Sequence, residues 1–483
     1  MGMVITARRT KIVATLGPAT DEPGVLQGMV EAGLDVARLN FSHGTRDSQR
    51  KRVEQVRAAA AAAGRNVGLL ADLAGPKIRI ESFVDGKVQL EEGKPFALDT
   101  ALDPTGGNIN EVGCAYLNLP SDVRAGDTLL LNDGAIILGV DKVAGTRIHC
   151  VVKVGGELSN RKGVNRQGGG ISAPALTEKD LGDIRVAAEM GIDYLAVSFA
   201  RDGDDMRRAQ AELRKWRGHA FVVAKIERHE ALDNLAGILA VTDAVMVARG
   251  DLGVEMGYAE LTGLQKTIIR ESLARNRVVI TATQMMESMI QAPMPTRAEV
   301  SDVANAVLDG TDAVMLSAET AAGKYPVKAV AAMAEVIEGA EKYQLGSARR
   351  RAESEHEFAN NEEAIASAVM HTANHMRVRA IVALTESGTT PLWMSRQRAD
   401  IPIYAFTRQD ATRGRVTLYR GVYAVPFDIT HVGPGQVNAA VFERLLGLGL
   451  VQVNDQVILT KGEESGVSGG TNSMQIVRVT QPR

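Results

Sequence analysis

The stretch DYLAVSF (193–199), followed by FVVAKIE (221–227), DAVMVAR (243–249), VVITAT (278–283) and DAVMLS (312–317), decides the fold. Each run is short, β-branched or apolar, and ends in a polar or small residue. Runs of this kind read as parallel strands buried on both faces. Working outward, KIVATLG (11–17), DVARLNF (35–41) and VGLLAD (67–72) repeat the pattern. Helical periodicity fills the intervals at 22–31, 47–63, 178–190, 204–215, 260–274 and 295–308. Eight strands alternating with helices predict an α/β chain with a (β/α)8 TIM barrel.

The count closes only when residues 74–173 are set aside. There the period changes to strand alternation (77–84, 87–90, 127–131, 135–140, 147–154), with Gly and Asp at the turns. This predicts a small β-barrel domain inserted after the third strand. Beyond about residue 339 the chain turns charged and irregular (341–356, with the arginine run 349–351). A second series of helices (362–375, 391–398, 410–418, 435–446) and strands (380–385, 401–406, 421–426, 456–460, 474–479) follows, predicting an open α/β domain. The expected domains are thus 1–73 with 174–340, then 74–173, then 341–483.

Composition bounds the partners. The 483 residues suit about three domains, and a net charge of -3 provides no bulk field towards nucleic acid or membranes. Glycine is abundant, at 48 residues, and aromatics scarce, at 4%, which favours tight strand–loop–helix turns over a base-stacking surface. Cys114 and Cys150 are the only cysteines, without zinc spacing, which fits a reducing, cytoplasmic compartment. No apolar run reaches the ~18 residues of a membrane helix, and the start lacks the apolar core of a signal peptide. Met1, Gly2 and Thr6 formally match a myristoylation pattern, with no second anchor nearby.

In such a barrel the catalytic groups sit at the C-terminal strand ends, where the βα loops form the concave mouth. Here the second strand ends in Arg38, Asn40, Ser42 and His43, the third in Asp72, and the fifth in Lys225 and Glu227. The sixth ends in Arg249, Gly250 and Asp251, the seventh in Thr283 and Gln284, and the eighth in Ser317 and Glu319. Strand alternation puts Lys225 and Glu227 on one face, with Ile226 on the other. Such a pair alone is as consistent with a Lys–Glu layer in the lumen as with catalysis; this many polar strand ends together point to function. Glu227 and Asp251 offer two hard carboxylates for Mg2+ or Mn2+, with room left for water and a phosphate or carboxylate ligand. Arg38 offers a bidentate fork for a phosphoryl group and Lys225 a point charge. Gly250 to Gly253 is either a tight turn or an anion-binding helix start. No P-loop and no Ser/His/Asp or Cys/His set is present.

A second anion site is suggested in the last third. Thr385, Glu386, Ser387, Gly388, Thr389 and Thr390 follow a strand and lead into a helix near Pro391. Strand, hydroxyl-rich glycine loop and helix N-terminus together make a phosphate cradle, or else a plain capped loop. A Gly/Ser-rich stretch at 461–471 could close over a sugar.

These blocks resemble one family. FVVAKIERHEALDN (221–234) resembles the signature around the catalytic lysine of pyruvate kinases. TLGPAT (15–20), RLNFSHG (38–44), GPKIR (75–79), RKGVN (161–165), MVARGDLGVE (246–255) and TATQMMESM (281–289) are similar to its other blocks, in the same order. So is PTRAEVSDVANAVLDGTDAVMLSAETAAGKYP (295–326), and the carboxy-terminal third matches the family's effector domain in pattern. The resemblance implies Mg2+-dependent phosphoryl transfer from phosphoenolpyruvate to ADP, giving pyruvate and ATP. It makes Lys225, Arg38 and Thr283 catalytic, Glu227 and Asp251 the Mg2+ or Mn2+ ligands, and Gly250, Asp251 and Thr283 the receivers of the substrate carboxylate. Arg79, His43, Lys162 and Asn40 are implied to face the nucleotide, Lys162 from a mobile lid. The loop from Thr385 to Thr390 is implied to hold a sugar-phosphate activator, and the assembly to be a homotetramer.

One departure stands out. Potassium-requiring members carry a glutamate in the GPxIR block, where this chain has Lys77. The monovalent-cation region would comprise Asn40, Ser42, Asp72 and Leu73, and an ammonium from Lys77 supplies the same charge nearby. The expectation is a bacterial-type enzyme that does not require K+. An aldolase-type barrel acting on the same substrates, or a non-catalytic metabolite sensor on this scaffold, are the rival readings.

Overall fold

The structure is a computed structural model that describes residues 8–347, 358, 360–397, 400–433, 435–462 and 469–481. The possible myristoylation start, the arginine run 349–351 and residues 463–468 of the Gly/Ser-rich stretch lie outside the described residues.

Eight parallel strands close into a barrel: β1 (Lys11–Thr15), β2 (Val36–Asn40), β3 (Gly68–Asp72), β4 (Tyr194–Val197), β5 (Phe221–Ile226), β6 (Ala244–Ala248), β7 (Val278–Ala282) and β8 (Ala313–Leu316). Each strand pairs with its neighbours in sequence, and β8 closes on β1. Alternation divides the strands between two cores. Ala224 and Ile226 join Leu195, Val197, Val245 and Val247 under the outer helices. Val223, Met246, Ile280 and Met315 fill the lumen, as the strand period requires. Of three threonine-capped helices, one starts where periodicity places it, at Glu178, and the other two start one and two residues away, at Arg46 and Arg297. Thr45, Thr177 and Thr296 each cap a helix by accepting the amide three residues on, and so fix its first turn.

The strand-leading aspartates have a shared task at the lower rim. Asp35 accepts the amide of Ile12, Asp193 that of Leu69, Asp243 that of Val222 and Asp312 that of Val279, all at 2.8–2.9 Å. Each carboxylate at the foot of an even-numbered strand thus satisfies an orphan amide of the strand before it.

The insertion folds around its own core of Ile78, Ile80, Phe96, Leu98, Leu129 and Ile148, among others. Its main element is a six-stranded sheet built from Val164–Arg166, Thr128–Leu131, Ile136–Ala144, Arg147–Val154, Pro95–Asp99 and Glu111–Gly113. The strand expected at 77–84 does not form as a ladder. Arg79, Ile80 and Phe83 make single bridges to Gly163, Cys114 and Gly107 respectively. The alternation there is real, with Ile78 and Ile80 inward, but the segment crosses three different neighbours.

Beyond the barrel, β9 (Ala380–Leu384), β10 (Ile403–Thr407), β11 (Val422–Pro426), β12 (Gln456–Gly462) and β13 (Thr471–Arg478) form an open sheet in the order β11-β10-β9-β12-β13. All its pairs are parallel except β12–β13. The barrel's last helix, Pro326–Ser347, continues unbroken into this region, and Glu341 on it accepts the amides of Arg9 and Thr10. Lys11 reaches from β1 to the carbonyl of Val422 at 2.7 Å and lies over the Tyr423 ring. The lower luminal core runs on into Ala366, Val369, Ile381 and Ala405, so barrel and open sheet share one apolar interior.

Asp193 sits in this junction, where helix Asp410–Arg415 comes so close that a Cβ at Gly414 would lie 1.8 Å from Asp193 Oδ1. Burial raises its pKa to about 7, against the opposing Leu69 amide, Arg57 and Arg415. A carboxyl with an unfolded pKa near ~3.9 therefore holds its proton more tightly when folded. Its contribution is complete below about pH 4 and is lost as pH rises through about 7. Asp193→Asn should raise the thermal midpoint at pH 8 and leave it unchanged at pH 4. Equal shifts at both pH values in a melting series would contradict this account.

Candidate active site

Five consecutive strand ends meet at the mouth. Lys225, on the luminal face of β5, places Nζ 2.9 Å from Glu227 Oε1 and 3.2 Å from Asp72 Oδ1. It donates a third bond, 2.7 Å long, to Ser198 Oγ, just beyond β4. Asp72, 1% exposed at the end of β3, accepts from Arg38 Nε at 2.7 Å. Arg38, on β2, also donates to Thr15 Oγ1 at the end of β1 (2.8 Å). Register explains the meeting: Asn40 lies opposite Asp72, and Asp72 opposite Ala196, so barrel closure sets these ends side by side.

The charges are interdependent. Burial alone would raise the Asp72 carboxyl, but Arg38 and Lys225 hold it below the ordinary range. Burial likewise pulls Lys225 down, and Asp72 and Glu227 outweigh it, so its pKa lies above an ordinary lysine. Glu227 is pushed up by burial; Lys225 opposes this and the negative Asp251 adds to it.

Asp251 lies in the first turn of helix Arg249–Met256, which opens directly after β6. A helix start favours an anion there. Lys77, from the insertion, approaches it at 3.5 Å, and both side chains are partly exposed. The donor set suits a hard divalent cation. Burial raises Glu227 and the neighbouring Asp251 carboxylate adds to it, and a divalent ion would relieve both effects. Among the described residues no group of three His, Cys, Asp or Glu side chains is spaced to hold a metal. Glu227 and Asp251 would therefore bind it with water and substrate completing the shell.

On the far side, Thr283 accepts the Gly250 amide at 2.8 Å and donates to the Ala282 carbonyl at 2.7 Å. Its φ of 68° is left-handed, a genuine outlier for a β-branched residue, and Gln284 follows at 52°. Arg249 maintains this corner: it is buried, pairs with Asp302 at 2.7 Å and donates to the Thr283 carbonyl at 2.7 Å.

The other predicted residues are placed more loosely. His43 and Arg79 are exposed; Arg79 donates to the Arg161 carbonyl at 2.8 Å, and the Lys162 carbonyl accepts from Ile80. Among the described residues, no hydrogen bond or ion pair links them to the Lys225 cluster. In the monovalent-cation region, the Asn40 side chain accepts the Ser42 amide, Leu73 is buried, and Asp72 is paired with Arg38 and Lys225. Lys77 stands against Asp251 rather than Asp72.

The second loop is ordered by its own hydroxyls. Gly388, at φ 85°, donates to Thr385 Oγ1 (2.9 Å), and the Ser387 and Thr389 hydroxyls lie 2.8 Å apart. Thr390 meets Thr471 at 2.8 Å, while Glu386 faces Arg408 and Gln409. A pocket opens beside the loop, lined by Thr385, Arg408, Phe427, Lys461 and Thr471. The helix begins at Thr389, two residues before Pro391, with left-handed Gly388 at its N-cap position.

Comparison with known proteins matches this arrangement to one family. Residues 7–330 match the model described as "Pyruvate kinase, barrel domain", and residues 363–477 the "Pyruvate kinase, alpha/beta domain". The chain belongs to the pyruvate kinase family. Its relatives in that family include pyruvate kinase II of Salmonella typhimurium, 51% identical over 98% of this chain and 99% of that protein. The pyruvate kinase of Haemophilus influenzae is 50% identical over 94% and 96%. A crystal structure of a pyruvate kinase from Cryptosporidium parvum superposes with a TM-score of 0.89 at 32% identity, covering 98% of this chain and 96% of that one. The enzyme is accordingly a phosphotransferase of the pyruvate kinase reaction, and the aldolase and sensor readings are set aside.

Two participants escaped the sequence reading: Thr15 and Ser198, at the ends of the first and fourth strands. Both are short hydroxyl residues, and a charge-led survey of strand ends passes over them. Their signal was positional, each closing a barrel strand at the height of Arg38 and Lys225.

Proposed function

We propose that the chain transfers the phosphoryl group of phosphoenolpyruvate to ADP with Mg2+ or Mn2+ held by Glu227 and Asp251, without a requirement for K+. The observation that carries this reading is the largely buried Lys225 ammonium, fixed between the carboxylates of Asp72 and Glu227. Phosphoryl transfer needs mainly positioning and charge stabilisation. Lys225 and Arg38 supply fixed positive charge for the migrating group. The divalent ion, when bound, adds positive charge where the enolate develops. Gly250, Asp251 and Thr283 receive the substrate carboxylate, which takes over the Gly250 amide now given to Thr283. The Thr283 hydroxyl, through water, supports protonation of the enolate.

Arg79, His43, Lys162 and Asn40 face the nucleotide, and the insertion (74–173) closes over the mouth to exclude water. Lys77, 3.5 Å from Asp251, supplies the monovalent charge. Residues 341–483 form the effector domain, with a sugar phosphate held by Thr385, Glu386, Ser387, Gly388, Thr389 and Thr390, and the enzyme works as a cytoplasmic homotetramer. One coupled assay with phosphoenolpyruvate, ADP and Mg2+ tests the core of this. With only large organic monovalent cations present, turnover should be at least half that in K+, and sugar phosphates should raise it at low substrate. Near-zero turnover restored by K+ would sink potassium independence, and no response to any sugar phosphate would sink the effector assignment.

A further inference from the structure

The corner that follows β4 touches Lys225 but has no assigned part in the reaction. Ser198 is 2% exposed; its Oγ accepts from Lys225 Nζ at 2.7 Å, donates to the Leu73 carbonyl at 2.8 Å and lies 3.4 Å from Asp72 Oδ1, a longer and weaker contact. The donation commits the hydroxyl proton, so the oxygen can meet the ammonium only as an acceptor. A lysine ammonium has three N–H donors, and here Asp72, Glu227 and Ser198 account for all three. The three partners differ in kind. Glu227 has a competing role towards a cation, and Asp72 is shared with Arg38. Ser198 alone is neutral, so it fixes the ammonium without cancelling its charge.

The backbone at this corner supports the same conclusion. Phe199 has φ 56°, a left-handed conformation rare for a bulky side chain and usually retained where the surroundings enforce it. That conformation points its amide at Glu227 Oε2, 2.7 Å away. One dipeptide therefore grips both the ammonium and the carboxylate. It also lies against the outgoing connection to the insertion and is linked through Arg228 to the returning one. A Cβ on Gly75, where the chain leaves the barrel, would lie 2.9 Å from both Ser198 Cβ and the Phe199 ring. Arg228, whose guanidinium is 5.9 Å from that ring's centre, donates to the carbonyl of Ile171 on the returning connection.

We infer that Ser198 is a positioning residue for phosphoryl transfer, its hydroxyl setting the direction in which Lys225 presents its charge to the migrating group. This rests on Lys225 being the phosphoryl-transfer lysine. The test is a double-mutant cycle on the full-length enzyme with Ser198→Ala, Lys225→Met and both together, measuring kcat, the KM for phosphoenolpyruvate and the thermal midpoint. Ser198→Ala should lower kcat about 10- to 100-fold, the scale of a small misplacement of a catalytic group. KM should stay within about threefold, because the lysine's charge remains in the site. In the Lys225→Met background the same change should cost less than about twofold, because the group it positions is gone. Unchanged kcat in Ser198→Ala overturns the proposal, as does an undiminished loss in the double variant, which marks a merely structural role. A lowered midpoint with normal kcat does the same. Wild-type turnover in Lys225→Met refutes the lysine's own role first, and is read separately from any failure at Ser198.

Discussion

Lys225→Met should lower turnover with phosphoenolpyruvate and ADP by about a thousandfold or more, the scale seen when a buried transition-state charge donor is removed. The effect should appear in kcat and kcat/KM alike, since the interaction is strongest with the group in flight. The KM for ADP should barely move, because Arg79, His43 and Lys162 stand apart from the cluster. The variant should still fold. Removing one partner of a buried ion pair commonly costs about 3–5 kcal/mol, but two features soften that here. Asp72 keeps both of its bonds to Arg38. Glu227, whose pKa burial already raises, can take up a proton once the ammonium is gone. Steady-state kinetics with a melting curve on the same sample decides the matter. A loss of less than about tenfold in kcat would falsify the assignment of Lys225 to phosphoryl transfer.

Much of this site was legible because strand period and charge point the same way. FVVAKIE places Lys225 and Glu227 on one face by alternation alone, and the observed cores separate at Ala224 and Ile226 as that alternation requires. The insertion was legible as a break in period, since a barrel of eight cannot be counted through it. What was not legible depends on closure and register. Ser198 lies 126 residues from Asp72 in the chain, yet 3.4 Å away in space, through the β3–β4 pairing. The left-handed turns at Phe199 and Thr283 carry no glycine to announce them; the surrounding contacts hold them, chiefly the Glu227 carboxylate and the Arg249 fork. The four strand-leading aspartates stood in plain view in DVARLNF, DYLAVSF, DAVMVAR and DAVMLS. Their work became clear only when each was seen to cap a neighbouring strand and, at Asp312, to meet an arginine from the last third of the chain.

That last contact sets the second large effect. Arg396 ends the helix Thr389–Arg396, which starts at the Ser387–Gly388 turn, and its fork grips Asp312 at the foot of β8. It also donates to the Arg277 carbonyl at the foot of β7 (2.9 Å). Both side chains of the pair are at least 95% buried, at 5% and 1% exposure. An exposed pair would contribute under about 1 kcal/mol, and its loss would pass unnoticed. A buried one behaves differently, because deleting the arginine leaves a carboxylate in a dry interior. Arg396→Ala should therefore cost about 3–5 kcal/mol. The remaining Val279 amide bond to Asp312 places the effect towards the lower end. Because the pair joins barrel to open sheet, the loss should appear as early release of the carboxy-terminal third, with its amides exchanging before those of the barrel strands. Arg396→Ala/Asp312→Asn should recover part of the loss, since the amide removes the unpaired charge while keeping an acceptor for Val279. Recovery separates an electrostatic lock from simple packing: if the double variant is no more stable than Arg396→Ala, the buried charge is not what the arginine answers.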